Sequence, residues 1–267
     1  MSSGPQILVF DSGLGGLTVF REIAKARPDA TYTYVADDAF FPYGHHTEDE
    51  IVGRVVPLVG ELIRAHAPDV VVIACNTAST LVMAYLRAAY AVPFVGTVPA
   101  IKPACTASKT RRVSVLGTKG TVRREYTHGL IRDFAGDCEV TLVGAAHLAS
   151  LAEAILNGSH VSDAAIASEI APCFLDGLAR TDTVVLACTH FPLLLDRLTE
   201  LAPWPVDWID PAPAIARRTA DLLARSAGPA TATVPAGPVR FLFTSGAAPS
   251  PSLARTLAPL FVQDVAA

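Results

Sequence analysis

Charged residues are scarce in this 267-residue chain. Asp, Glu, Lys and Arg make up 17% of it and hydrophobic residues 51%, whereas a globular protein typically contains about 25% charged residues. The net charge is −4, and the basic residues occur in scattered doublets such as Arg111-Arg112 and Arg217-Arg218. Because no basic stripe with interleaved aromatic residues is present, we do not expect nucleic acid as the main partner. An anionic ligand must therefore be attracted by local groups rather than by the overall field.

The chain also lacks long apolar runs, a Cys-x-x-Cys pair and a secretory pattern at its start. No apolar run approaches the roughly 20 residues of a membrane span. The opening "MSSGPQILVF" has no cationic segment followed by an apolar core. We therefore expect a cytoplasmic protein without a membrane partner, whose cysteines are free thiols. The five cysteines are spread along the chain, at positions 75, 105, 138, 173 and 188.

Patterns for common cofactors and metals are missing as well. The stretch "GLGG" at 13–16 is not a dinucleotide fingerprint, because the third glycine of that motif would fall at Thr18. We expect these glycines to let the backbone approach a ligand or enter a helix. The adjacent His45 and His46 have no spacing that would make a chelating pair. None of the four lysines (25, 102, 109 and 119) lies in a setting typical of a Schiff base, so we expect neither a metal nor an organic cofactor.

Short apolar runs alternate with helical patterns along the whole chain. The runs "VVVIA" at 70–74 and "TVVLA" at 183–187 are apolar on both faces, which is typical of central parallel strands covered by helices. "TEDE" at 47–50 has the pattern of a capping box, and Pro192 is a favoured first-turn residue for a helix after the second run. Strands alternating with helices indicate parallel sheets with crossover helices, and we predict the α/β class.

Two pairs of segments indicate a weak internal duplication. "ILVFDSG" (7–13) aligns with "VSVLGTKG" (113–120), and "VVVIACNT" (70–77) aligns in the same order with "TVVLACTH" (183–190). We therefore predict two pseudosymmetric lobes, each a mainly parallel sheet flanked by helices, with an active site in the cleft between them. The predicted boundaries are 1–98 plus 211–267 for a discontinuous N-terminal lobe and 99–210 for the second lobe.

Reactive or hydrogen-bonding side chains follow four of the predicted strands. Ligands of parallel α/β sheets collect beyond the carboxyl ends of the strands, so facing lobes bring the two cysteines to one cleft. Each cysteine precedes a predicted helix, whose start favours anions and lowers the pKa of a thiol. Two thiols on opposite faces suit inversion at carbon, because one removes a proton while the other delivers one. The segments are Asp11-Ser12, Cys75-Asn76-Thr77, Gly117-Thr118 and Cys188-Thr189-His190.

Five ordered blocks resemble the signature blocks of glutamate racemases, in the aspartate/glutamate racemase superfamily. The resemblance runs from about residue 7 to about residue 220. It implies a two-lobed α/β fold that racemises L- and D-glutamate without a cofactor and supplies D-glutamate for peptidoglycan. It also implies a homodimer. The blocks are "VFDSGLGGLTVFREI", "FPYGHHTEDEI", "ACNTAST", "VPAIKPA" and "ACTHFPLL".

The resemblance also implies roles for single residues. Cys75 takes the α-proton from D-glutamate and Cys188 takes it from L-glutamate. Asp11 and His190 each assist one thiol, and Glu153 in "HLASLAEAILNG" supports the Cys188 side. The implied substrate-binding residues are Asp11, Ser12, Tyr43, Gly44, Asn76, Thr77, Thr118, Thr121, Thr189 and His190.

Other functions stay open at this point. An aspartate racemase or another thiol-pair racemase would share both cysteines and differ in the pocket for the distal carboxylate, where "PYG" favours glutamate. Cys75, Cys188 and His190 are acceptable zinc ligands. A thiol–disulfide oxidoreductase would exchange electrons rather than protons. A two-lobed binding protein would hold an amino acid without exchanging its α-hydrogen.

Overall fold

The computed structural model describes residues 4–228 and 239–257. The predicted first lobe also includes residues 1–3, 229–238 and 258–267, which lie outside the described residues. The strands are β1 Gln6–Asp11, β2 Thr31–Ala36, β3 Val70–Ile73, β4 Phe94–Gly96, β5 Arg112–Thr118, β6 Glu139–Ala145, β7 Thr183–Ala187, β8 Asp207–Ile209 and β9 Val239–Phe243. The helices are α1 Leu17–Ala26, α2 Glu48–His66, α3 Asn76–Ala89, α4 Ile101–Ala107, α5 Lys119–Arg123, α6 Glu125–Phe134, α7 Leu148–Leu156, α8 Asp163–Ile170, α9 Leu195–Leu201, α10 Ala212–Ala227 and α11 Pro251–Leu257.

The strands form two parallel sheets with the same internal order. The first sheet has the order β4-β3-β1-β2-β9, and the second has the order β6-β5-β7-β8. Read from the other edge, the second sheet repeats the first, because β8, β7, β5 and β6 take the places of β4, β3, β1 and β2. The two aligned sequence pairs therefore occupy equivalent strands, and the predicted α/β class with two pseudosymmetric lobes is confirmed. We call each sheet with its covering helices the first and the second lobe.

Helices cover both faces of each sheet, because successive residues of a strand point to opposite sides. In β1, Ile7 and Val9 pack with α1 and α10, whereas Leu8 and Phe10 pack with α2 and α3. In the second lobe, α7, α8 and α9 cover one face while α4 and α6 cover the other. Every residue of β3 and β7 is buried, as the two uninterrupted apolar runs predict.

The starts of α2 and α3 follow directly from their sequences. Thr47 Oγ1 accepts a hydrogen bond from the Glu50 amide (3.3 Å), and the Thr47 amide donates to the Glu50 carboxylate (2.7 Å), so the predicted capping box is confirmed. α3 begins at Asn76, and Cys75 occupies its N-cap with an extended backbone. The first cysteine thus sits at the junction between a buried strand and a helix of 14 residues.

The predicted helix at Pro192 follows the second cysteine, but it begins with 3-10 geometry. Residues 191–194 form a 3-10 helix with Pro192 in its first turn, and α9 continues from Leu195. The Phe191 amide donates to the Cys188 carbonyl at 3.1 Å. This i→i+3 bond is characteristic of the tighter 3-10 geometry, and it reverses the chain immediately after β7.

All five cysteines are free thiols, as expected from their scattered positions. Cys75, Cys105, Cys173 and Cys188 are buried, and Cys138 is partly buried. Within residues 4–228 and 239–257, no helix combines the length and apolar character that crossing a bilayer requires.

Candidate active site

A cleft at the carboxyl ends of the central strands contains both predicted catalytic cysteines. Residues of both lobes line this small cleft. Neither Lys nor Arg is among the described residues that line it. The cleft therefore offers thiols, hydroxyls, amides and one imidazole to a small polar ligand. Its lining consists of Ser12, Phe41, Pro42, Tyr43, Gly44, Cys75, Asn76, Thr77, Thr118, Ala149, Cys188, Thr189 and His190.

Cys75 is a buried, protonated thiol. Its Sγ donates a hydrogen bond to Ser12 Oγ at 3.5 Å. Burial and the nearby carboxylate of Asp11 raise the pKa of the Cys75 thiol to about 12, although the Ser12 hydrogen bond acts in the opposite direction. The expectation that the helix start lowers this pKa is wrong, because the desolvation of the sulfur outweighs the attraction of the α3 N-terminus.

Cys188 belongs to a chain of polar groups that leads away from the cleft. Its Sγ lies 3.9 Å from Nδ1 of His190, and Nε2 of that ring lies 2.8 Å from Oε1 of Glu153. Burial lowers the pKa of His190, but the hydrogen bonds and charges of Cys188 and Glu153 outweigh it and raise the pKa well above its ordinary value. The raised pKa favours the charged form of His190, with Nδ1 on the side of the sulfur and Nε2 on the side of the carboxylate.

Glu153 lies behind His190 and does not line the cleft. Its Oε1 also accepts a hydrogen bond from the Leu14 amide at 2.6 Å. The carboxylate of a second-lobe helix is thereby held against the loop that follows β1 in the first lobe. The structure therefore brings this predicted residue to His190, where it can hold the ring in place and balance its charge.

Asp11 and Thr121 also lie one layer behind the lining. Asp11 is fully buried, and it accepts hydrogen bonds from the Gly13 amide (3.0 Å) and from Thr189 Oγ1 (3.2 Å). Burial raises the pKa of Asp11, although the charge of His190 partly opposes this. The two groups that donate to the Asp11 carboxylate belong to different lobes, so Asp11 connects Thr189 to the loop after β1.

Three threonine hydroxyls join the two lobes beside the cleft. Thr77 Oγ1 lies 2.9 Å from Thr118 Oγ1 and 3.2 Å from Thr121 Oγ1, and the last two are 3.0 Å apart. Thr118 also caps α5 by accepting a hydrogen bond from the Thr121 amide. Thr77 and Thr118 line the cleft, and Thr121 holds them from behind.

Asn76 is the lining residue whose hydrogen-bonding capacity is unused. Its side chain is 2% exposed, and neither its Oδ1 nor its Nδ2 has a partner. Buried polar atoms in proteins are nearly always hydrogen-bonded, so an orphaned amide needs an explanation. A polar ligand in the cleft would supply the missing partners, since Asn76 can both donate and accept.

The loop 41–44 supplies four lining residues, two of which the sequence-based site assignment missed. Tyr43 is buried, and its hydroxyl donates to Asp37 at 2.6 Å, so only its ring and backbone remain for a ligand. Gly44 lies against the side chain of Thr118. The missed residues of the loop are Phe41, whose ring centroid is 5.4 Å from that of His190, and Pro42. Ala149, on α7, is the third missed lining residue, and no polar side chain marked it.

Gly13 and Gly15 of "GLGG" permit a close approach between the lobes. A Cβ at Gly13 would overlap the Glu153 carboxylate, and a Cβ at Gly15 would overlap the His190 ring. The Gly15 amide lies 3.2 Å from His190 Nε2. The expected helix entry is also present, because α1 begins immediately after Gly16.

The two cysteines of the cleft belong to different lobes. Across the described ranges, no group of three or more His, Cys, Asp or Glu side chains is arranged to hold a metal ion. Cys75 and Cys188 instead approach the cleft from equivalent strands of different lobes.

Comparisons with known proteins agree with the fold. Residues 11–219 match the model of the Asp/Glu/Hydantoin racemase family. A glutamate racemase of Brucella anthropi is 60% identical over 220 residues, which cover 81% of this chain and 79% of that protein. The glutamate racemase of Escherichia coli, solved with L-glutamate and the activator UDP-MurNAc-Ala, is 41% identical with a TM-score of 0.87, over 97% of this chain and 96% of that one. A glutamate racemase isoform of Bacillus anthracis is 26% identical with a TM-score of 0.80, over 97% and 94% of the two chains.

Proposed function

This chain belongs to the Asp/Glu/Hydantoin racemase family, and from that premise we propose that it interconverts L- and D-glutamate by proton transfer between two thiols, without a cofactor. Relatives that are 57–60% identical over four-fifths of the chain carry the name glutamate racemase. The observation that carries the mechanism is that Cys75 and Cys188, which follow equivalent strands, line one cleft.

The proposed reaction removes a proton from one face of the α-carbon and delivers another proton to the opposite face. From L-glutamate, the Cys188 thiolate takes the α-proton while the Cys75 thiol gives its proton to the opposite face. D-glutamate leaves, and the enzyme then holds a Cys188 thiol and a Cys75 thiolate, which is the state that acts on D-glutamate. The raised pKa of Cys75, about 12, keeps its proton in place until the carbanion forms. The imidazolium of His190 faces the sulfur of Cys188 and balances its charge.

Substrate binding depends on dipoles rather than on a full positive charge from Lys or Arg. Removing the α-proton places negative charge next to a carboxylate, which preorganised N–H and O–H donors stabilise. We assign direct contacts to the lining set Ser12, Tyr43, Gly44, Asn76, Thr77, Thr118, Thr189 and His190. Asp11 and Thr121 act as positioning residues, since they bond Thr189 and Thr118 from behind.

The wider role that we propose follows from the family resemblance. D-glutamate made by this chain serves peptidoglycan synthesis in the cytoplasm, and the active form is a homodimer. We also keep the lobe boundaries of 1–98 plus 211–267 and 99–210 as a proposal. The pairing of β9 with β2 and the packing of α10 with α1 support them.

The proposed function is tested by incubating the purified chain with L-glutamate in deuterated water. We expect the circular dichroism signal to decay to zero, with deuterium appearing at Cα of the D-enantiomer first. A parallel incubation with L-aspartate is the matched control. Decay with aspartate but not with glutamate would assign the chain to a sibling racemase, and binding without α-hydrogen exchange would make it a binding protein.

The approach of Gly15 to His190 leads to a separate prediction. We expect Gly15→Ala to lower kcat/KM for glutamate by about 100-fold, because the added methyl overlaps the imidazole ring and displaces it from Cys188. Gly53→Ala is the control, since Gly53 lies on α2 with nothing within 4 Å of the added atom. It should keep full activity and stabilise the fold by about 1 kcal/mol. A Gly15→Ala enzyme with a third of normal activity would contradict the argument.

A further inference from the structure

We infer that Asp37 and Arg54 are positioning residues that hold the cleft-lining loop 41–44 in its binding shape through the hydroxyl of Tyr43. The inference rests on the proposed glutamate racemisation. Neither residue lines the cleft, and neither belongs to a sequence block with an evident chemical role. They would act on substrate affinity and on the choice between glutamate and shorter amino acids.

The loop forms part of the cleft wall, so its exact placement determines the shape of the cleft. Phe41 packs near the His190 ring on the Cys188 side, and Gly44 lies against Thr118 at the edge of the second lobe. The loop thus spans the cleft wall from the second thiol to the threonines that join the lobes. A shift of the loop would change the shape of the cleft without moving either cysteine.

The loop is anchored by a buried carboxylate with four hydrogen bonds. Asp37 is 0% exposed, and Tyr43 donates to its Oδ2 at 2.6 Å. Arg54 donates through Nε (3.1 Å) and Nη2 (2.6 Å), and Thr244 Oγ1 donates at 2.6 Å. Two carboxylate oxygens have about four acceptor sites, so these donors occupy the whole group.

The charge state of Asp37 fixes the direction of these hydrogen bonds. Burial acts to raise the pKa of Asp37, but the hydrogen bonds from Arg54, Thr244 and Tyr43 outweigh it and hold the pKa below its ordinary value. The carboxylate is therefore ionised and only accepts, so the Tyr43 hydroxyl must donate to it. This hydroxyl is turned away from the substrate, and the loop presents its rings and backbone to the cleft.

The anchor is also tied to the rest of the site. The Asp37 amide donates to the Asp11 carbonyl at 2.9 Å, because β1 and β2 are parallel neighbours. Arg54 reaches Asp37 from α2 and is 36% exposed. A buried ion pair is weak evidence for stability, because desolvation offsets the attraction. Its directional hydrogen bonds are better suited to holding one conformation of the loop.

The test compares two variants, each of which removes one hydroxyl group that donates a hydrogen bond to the Asp37 carboxylate. Tyr43→Phe removes the donor on the cleft-lining loop, and Thr244→Val removes a donor that follows β9 and does not line the cleft. We expect Tyr43→Phe to raise the KM for glutamate about tenfold with kcat changed less than about threefold. The preference for L-glutamate over L-aspartate should fall with it. Thr244→Val should lower the thermal midpoint to a similar extent and leave KM and this preference unchanged.

Arg54→Met provides a second, independent variant, with Arg64→Met on the exposed side of the same helix as its control. Arg54→Met should reproduce the KM increase, and Arg54→Lys should restore part of the affinity. Equal effects of Tyr43→Phe and Thr244→Val on KM, or no effect of either, would overturn the inference. A wild-type chain that does not racemise glutamate would instead overturn the proposed function. In that case the same variants are compared by the Kd for D-glutamate, and an unchanged Kd in Tyr43→Phe overturns the inference as well.

Discussion

Cys75→Ser and Cys188→Ser will each lower kcat/KM for glutamate racemisation by at least about 1,000-fold, the scale of a lost general acid or base. Both cysteines line one cleft on equivalent strands, and in the proposed mechanism each turnover uses one as the base and the other as the acid. Serine keeps the size and the hydrogen bond but does not exchange a proton with Cα near neutral pH. Initial rates by circular dichroism, in both directions, measure the loss.

Solvent exchange in the same variants identifies which thiol serves which enantiomer. In deuterated water, Cys75→Ser keeps the base for L-glutamate, so the α-hydrogen of L-glutamate should exchange without inversion. Cys188→Ser should exchange only the α-hydrogen of D-glutamate. Proton NMR of the α-position follows both reactions.

Cys138→Ser is the matched control for the loss of a thiol. Cys138 lies in the second lobe, partly buried, with its Sγ 3.5 Å from the Cys105 carbonyl and outside the cleft lining. It should racemise glutamate at the normal rate. A Cys75→Ser or Cys188→Ser enzyme that keeps a tenth of normal activity would contradict the two-thiol mechanism.

Glu153→Gln should lower kcat/KM by about 100-fold at pH 8. The reason is that the Glu153 carboxylate orients the His190 imidazole and favours its protonated form. Glutamine keeps an oxygen for the Leu14 amide and for His190 but carries no charge. The pKa of His190 is raised by Glu153 and Cys188 against the effect of burial, so removing the carboxylate lowers it. The imidazolium is then lost at a lower pH, and the alkaline limb of the pH–rate profile should move to lower pH.

The two directions of the reaction add a constraint that sharpens this test. L- and D-glutamate have equal free energies in water, so kcat/KM must fall equally in both directions. Because the substitution affects Cys188 and not Cys75, the two directions should differ in their primary deuterium isotope effects. The isotope effect should rise for L-glutamate, since proton transfer at Cys188 becomes the slower step. Glu169→Gln is the control, since its carboxylate accepts a hydrogen bond from the His147 amide in the same lobe. An unshifted pH profile in Glu153→Gln would contradict the role of this residue.

The local sequence was sufficient to predict those structural features whose stabilising interactions join residues only a few positions apart. The apolar runs at 70–74 and 183–187 predicted β3 and β7 to within a residue, because β-branched residues apolar on both faces fit a covered parallel strand. The capping box at Thr47 needs only the residue three positions further on. The residues after each strand also predicted that both thiols share one cleft, since strand ends in parallel sheets share one edge, whereas the family followed from the resemblance of five sequence blocks.

Only the tertiary structure decided the features that depend on residues distant in the chain. Glu153 meets His190 within the second lobe, and across the interface of the two lobes Gly13 approaches Glu153 and Gly15 approaches His190. The pKa of Cys75 is raised rather than lowered, because desolvation depends on the complete enclosure of the sulfur and not on its place before a helix. Asp37 belongs to no recognisable sequence motif. Its proposed positioning role follows from the donors that α2, loop 41–44 and the segment after β9 bring to its buried carboxylate. Short-range patterns determine strands, caps and chemistry-bearing residues, whereas burial and cross-lobe contacts determine how those residues are charged and held.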